Sequence, residues 1–183
     1  MKRFIKDEKQ RRIAVFVVKA VGLYLLWFVL YDMYLAPSGR LDAWLNQRVA
    51  EDGITLLELF GYSGSTVPGI DQTIMCIDNR EILGVGNPCN GLELFVLFTG
   101  FILCFPGNAK MKAWFIPAGI LVIHFVNVIR AAVLVLIQKY APEHLDFNHH
   151  YTFTIVVYAI IFLLWMIWTN RFSTPVKPAA ERV

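Results

Sequence analysis

The sequence predicts an all-α integral membrane protein: four transmembrane helices, with an outer loop carrying an interfacial helix and a small hairpin. Three observations predict it. Long apolar runs recur along the 183 residues, which are 57% hydrophobic with a mean hydropathy of +0.53, and runs of ~18 or more apolar residues read as bilayer spans. Basic residues gather at the chain ends and in one short connection, while acids gather in one long loop. Aromatic residues collect at the boundaries of the apolar runs, as they do at membrane–water interfaces. The net charge of +3, with the basic residues at a few points, excludes nucleic acid as a partner class and makes the lipid bilayer the main one.

The first span runs from Ile13 to Leu35, with Lys19 near enough to its start to snorkel toward headgroups. Its length and the poor cleavage site at Leu35-Ala36-Pro37 distinguish it from a signal peptide. The second, Leu92 to Phe105, is short for a span, so its helix is expected to begin earlier, near Val85 to Cys89. The third runs from Trp114 to Ile137 and the fourth from Thr152 to Trp168. The whole chain, 1–183, reads as a single membrane domain: a basic tail 1–12, the first span 13–35, a loop 36–88, a core 89–170 with spans two to four, and a tail 171–183.

Charge sets the expected orientation. Lys2, Arg3, Lys6, Lys9, Arg11 and Arg12 precede the first span; Lys110 and Lys112 lie between the second and third; Arg171, Lys177 and Arg182 follow the fourth. The loop from Ala36 to Pro88 instead holds Asp42, Glu51, Asp52, Glu58, Asp71, Asp78 and Glu81. Basic segments stay in the cytoplasm, and an even number of spans puts all three there. The reading is a multi-pass protein of the inner (cytoplasmic) membrane with the loop 36–88 outside.

That loop has structure of its own. Leu41, Trp44, Leu45 and Val49 recur at helical spacing, which suits a helix lying on the membrane surface. Thr55-Leu56-Leu57-Glu58 has the form of a capping box before a short apolar turn. Gly61 to Gly69 reads as a loop, and Thr73 to Val85 as a hairpin turning at Asp78-Asn79 that delivers the chain to Cys89.

Three residue types with chemistry reach the outer face: Cys89, Arg130 and the pair His149-His150. A thiol at a helix start feels the positive end of the dipole, which favours thiolate, and Gly91 leaves space beside it for a substrate backbone. Arginine in an apolar span is costly and is therefore paired, placed in a cavity or snorkelling to the headgroups; Asn127 shares its helix face. His124 lies deeper and reads as an interhelical hydrogen-bonding residue. Imidazole changes charge near neutral pH and suits an acid or base. Cys104 reads as a buried, inert thiol, and Cys76 as a core residue of the hairpin or a disulfide partner of Cys89. No CxxC or Cys/His metal spacing is present, and no metal or cofactor is assigned.

The segments Cys89-Asn90-Gly91-Leu92-Glu93-Leu94-Phe95, Asn127-x-x-Arg130 and Asp146-Phe147-Asn148-His149 come in this order on one membrane side. In this the chain resembles the exosortase/archaeosortase family, and most the short exosortase F type, over roughly Gly84 to Trp168. Where many members carry Ser or Ala after the cysteine, this chain carries Asn90. The resemblance implies a membrane cysteine transpeptidase or protease acting at the outer face on membrane-anchored proteins with a C-terminal sorting signal. Cys89 would be the nucleophile, Arg130 the oxyanion or thiolate partner, and His149, which directly follows Asp-Phe-Asn, the acid or base. Two other classes are open to the same residues: a non-enzymatic membrane assembly or binding protein, and a membrane thiol acyltransferase using lipid.

Overall fold

A computed structural model describes the backbone of residues 2–173 and, apart from Arg12, the side chains of residues 10–173. The expected tail 171–183 therefore lies largely outside the described residues. Helix α1 (Lys2–Leu30) runs on through a wider π turn, Tyr31–Leu35, into the single turn α2 (Ala36–Ser38). From Lys2 onward the basic segment thus joins the first span without a break, and the apolar helix extends from Ile13 to Ser38. Gly39, at φ 61, ends it in a left-handed conformation that costs glycine nothing.

Helix α3 (Arg40–Glu58) follows. It is the amphipathic helix expected in the loop, but longer, and its apolar stripe is not spread on a membrane surface. Leu45, Val49, Ala50, Gly53, Ile54 and Leu57 are buried, whereas Trp44 is 55% exposed. Thr55 to Glu58 form its last turn rather than a new cap: the Thr55 hydroxyl donates to the Glu51 carbonyl, within the helix.

Three antiparallel strands come next, β1 (Gly64–Pro68), β2 (Gln72–Ile77) and β3 (Arg80–Gly86), in the order β1-β2-β3. The β2–β3 hairpin is where the sequence put it. Asp78 (φ 53) and Asn79 (φ 62) both adopt the left-handed conformation that a two-residue hairpin turn requires. The additional strand β1 occupies what reads as a loop. Its register with β2, Gly64 against Ile77 to Pro68 against Thr73, shows why a proline is tolerated. The Gly69 N–H bonds to Gln72, so by alternation the Pro68 nitrogen faces the free edge, where no donor is needed.

β3 leads through the tight turn Asn87–Cys89 to Gly91 (φ 86), which starts helix α4 (Leu92–Cys104). The earlier start expected near Val85 to Cys89 is not found. The strand runs to Gly86, Asn87–Cys89 form a separate tight turn, and the positive φ of Gly91 breaks the chain before Leu92, so Cys89 precedes the helix instead of opening it. At 13 residues, α4 is ~20 Å long, shorter than a ~30 Å hydrocarbon core. Helix α5 (Ala109–Tyr140), the single turn α6 (Leu145–Phe147) and helix α7 (Phe153–Ile167) follow, with a π turn Asn148–Thr152 ahead of α7 and another, Trp168–Phe172, after it. Among the described residues three helical stretches are long and apolar enough to cross a membrane, and α4 is a fourth, shorter apolar helix. The helical membrane class is as the sequence predicts, with a three-stranded sheet in place of a lone hairpin.

Two cores meet along α5. At the sheet end, Val49, Ala50, Ile54 and Leu57 of α3 pack with Met75, Ile77 and Val85 of the sheet and Ala131, Ala132 and Val135 of α5. At the other end, Phe98 and Ile102 of α4 pack with Phe115 and Ile123 of α5, Val157 and Ile161 of α7, and Trp168. A Cβ at Gly119 would run into the fully buried Phe98 ring, so glycine there lets α4 close on α5. Lipid tails are as apolar as these side chains, so close packing rather than water exclusion holds this second core.

Candidate active site

The site lies where β3 ends, against the sheet end of α5 and the start of α7. Cys89 Sγ is 3.1 Å from His149 Nε2, and Arg130 Nη2 is 3.7 Å from the same sulfur. The three residues come from three elements: the turn Asn87–Cys89, helix α5, and the π turn Asn148–Thr152. The extra residue per turn of a π segment re-aims side chains, and such segments recur at functional sites. Together with Gly84, Val85 and Asn127, they line a cavity of about 30 Å³.

The turn that carries Cys89 is held from both sides. Asn127, 1% exposed and one helical turn before Arg130, donates from Nδ2 to the Cys89 carbonyl at 2.7 Å. Asn90, fully buried, donates to Asp42 Oδ1 at 2.8 Å and accepts the Leu92 N–H at 2.9 Å. Tyr31, in the continuation of the first span, donates to Asp42 Oδ2 at 3.1 Å. Asp42 is 3% exposed, and a buried carboxylate is tolerated because donors meet it. In the sequence Asp42 stands out only as one of the loop acids and Asn90 only as the residue after the cysteine; neither is marked as a support of the site. The available sign was Asp42 itself, a carboxylate on the apolar stripe of α3, three residues before Leu45 and seven before Val49.

Arg130 does not snorkel away from the site; it turns to the thiol. Among the described residues no carboxylate is in ion-pair range of it, and its Nε is buried with no partner, as is Asn127 Oδ1. Two unsatisfied groups beside a thiol are a reservoir of hydrogen-bonding capacity for something that enters. Arg130 also faces a second cavity of about 150 Å³ with Glu93, Thr154 and Tyr158. Glu93 itself is exposed and takes no hydrogen bond among the described residues.

The adjacent histidines separate. His149 meets the thiol, whereas His150 is exposed and turns back, with Nδ1 3.0 Å from Asp146 Oδ1. The four-residue spacing of Asp146 and His150 is the sequence sign of that pair. His124 makes the interhelical contact expected of it, to Asp52 Oδ2 at 2.8 Å. All three cysteines are free; Cys76 and Cys104 are buried and Cys89 is partly exposed.

A family model described as transmembrane exosortase matches residues 10–172 of this chain. The chain belongs to the transmembrane exosortase family. No curated protein and no solved structure matches it. Exosortase membership supports a membrane transpeptidase-like function in general, and it agrees with a multi-pass membrane architecture. The family match takes in α1 from residue 10 onward, the π turn that follows it and α3, as well as the motif-bearing half, so Tyr31 and Asp42 lie within the matched region.

Proposed function

We propose that this exosortase cleaves the C-terminal sorting signal of secreted, membrane-anchored proteins at the outer face of the cytoplasmic membrane, through a thioester on Cys89. The observation that carries the reading is the convergence of Cys89, His149 and Arg130. His149 Nε2 takes the thiol proton, and the thiolate attacks the substrate carbonyl carbon. Arg130, whose guanidinium has donors to spare, stabilises the oxyanion that forms. Collapse of the tetrahedral intermediate expels the leaving amine, which takes the proton from the His149 imidazolium. An acceptor amine, hydroxyl or water then attacks the thioester, gives its proton to His149, and the thiol is restored. A substrate with its own apolar helix would bring its scissile bond to this depth and be released from that helix. The full chain acts as one membrane domain, 1–183, with both tails in the cytoplasm.

The test is co-expression with a secreted reporter ending in a short motif, an apolar span and a basic tail from the same genome. Cleavage by the native chain and none by Cys89→Ala, with both inserted equally, is the expected result. Uncleaved reporter in both would favour an assembly role, and label transfer from a lipid thioester without cleavage would favour an acyltransferase. Orientation is tested by thiol labelling: Ser63→Cys should react with an impermeant reagent from outside and Asn108→Cys should not. The opposite pattern would put the site on the wrong face for secreted substrates.

A further inference from the structure

At the end of the molecule away from Cys89, the structure carries a second feature, between α1 and α4. A cavity of about 430 Å³ is bordered by Arg11, Lys19 and Lys112, and among the described residues no acidic side chain lines it. Lys112 is fixed at its edge: Nζ donates to the carbonyls of Leu103 at 2.9 Å and Phe105 at 2.7 Å, capping the C-terminal end of α4. An ammonium has three donors, so one is left. Phe16 and Cys104 are shared with a second cavity of about 200 Å³, whose walls are almost wholly apolar and which continues along α1 to Trp27. Phe16 packs edge-on against Phe101 and Phe105 at the junction. At Gly100 the two helices approach closely, since a Cβ there would come within 3.0 Å of Leu23 Cδ2. Trp165 lines the groove too, and its Nε1 is a buried donor with no partner.

We propose that this paired feature holds one anionic phospholipid, with its headgroup phosphate among Arg11, Lys19 and Lys112 and an acyl chain in the groove between α1 and α4. The basic cavity matches a phosphate in charge, and basic pockets between membrane helices take such headgroups. The groove matches a chain in length: Phe16 and Trp27 are eleven residue steps apart, ~16 Å of helix, about one leaflet of a ~30 Å core. A transmembrane helix with a basic tail is a poor occupant, because the three cations would repel that tail. The site does not depend on the reaction at Cys89.

The test uses the full chain in mild detergent, titrated with phosphatidylglycerol, with phosphatidylcholine of the same acyl chains, and with inorganic phosphate. Native mass spectrometry and thermal unfolding are the readouts. Phosphatidylglycerol should bind saturably, one per chain, and raise the melting temperature; phosphatidylcholine should bind more weakly and phosphate alone should have no effect. Arg11→Gln with Lys19→Gln leaves the Lys112 cap intact and should weaken phosphatidylglycerol binding about 25-fold, about fivefold for each charge. Equal binding of the two lipids, or full retention of phosphatidylglycerol by the folded double variant, would overturn the proposal. Stabilisation by phosphate alone to the same extent would reduce the feature to a free-anion site and overturn the lipid assignment.

Discussion

The sulfur of Cys89 lies 3.1 Å from Nε2 of His149, sixty residues further along the chain. The neighbouring His150 points to Asp146 instead. One residue therefore separates an imidazole at the thiol from one in solvent.

On the proposed mechanism, His149→Ala abolishes cleavage of the co-expressed reporter while Cys89 is present and the protein inserts normally. His150→Ala keeps most of the activity, since its loss removes only an exposed local pair. Reporter processing by immunoblot reads both. A dead His150→Ala variant with an active His149→Ala variant would move the acid–base role by one residue.

Cys89→Ser abolishes cleavage, because an alcohol is far less ionised than a thiol near neutral pH. Cys76→Ser and Cys104→Ser keep activity if they fold, because neither buried thiol lies at the site. Alkylation by iodoacetamide should modify Cys89 first. Preferential modification of Cys76, or loss of activity in a well-folded Cys76→Ser protein, would contradict the assignment.

Arg130→Lys lowers the cleavage rate on the order of 100-fold if an oxyanion contact is lost. Lysine keeps the charge but not the planar fork that reaches a sulfur and an oxygen together. A fully active lysine variant would show that charge alone suffices at this position.

Asp42→Ala strands the buried Asn90 amide and the Tyr31 hydroxyl and should destabilise the fold by ~1–3 kcal/mol. Asp42→Asn with Asn90→Asp restores an amide–carboxylate pair and should recover part of both the melting temperature and the alkylation rate of Cys89. If the swap recovers nothing beyond Asp42→Ala, the pair does not act as a unit.

Much of this architecture is legible because membranes impose simple rules on sequence. Apolar length marks α1, α5 and α7, and the Asp78-Asn79 turn marks the β2–β3 hairpin, since few residue types adopt left-handed backbone. Strand β1 is not legible, because five residues containing Gly64 and Pro68 lack any apolar alternation and depend on pairing with β2. The early start expected for α4 follows from its shortness alone; the glycines around Cys89 were the better guide. At the site, Cys89, Arg130 and His149 stand out by residue type and order. The Asp42–Asn90 bond joins positions 48 apart, and a single long-range hydrogen bond leaves no periodicity to find.

The pairing of β2 with β3 skips one residue: Met75 faces Leu83, Cys76 faces Glu81, and Ile82 is the extra residue of a bulge. Only two residues, Asn87 and Pro88, separate the end of β3 from Cys89, so the chain has no slack there. Deleting Ile82 would regularise the ladder yet draw the thiol back by one strand step, ~3.3 Å, as far as it now stands from His149. Changes in chain length should therefore be tolerated at the connections around Tyr62 and Ile70, while the stretch from Arg80 to Cys89 works as a ruler whose length sets the place of the thiol.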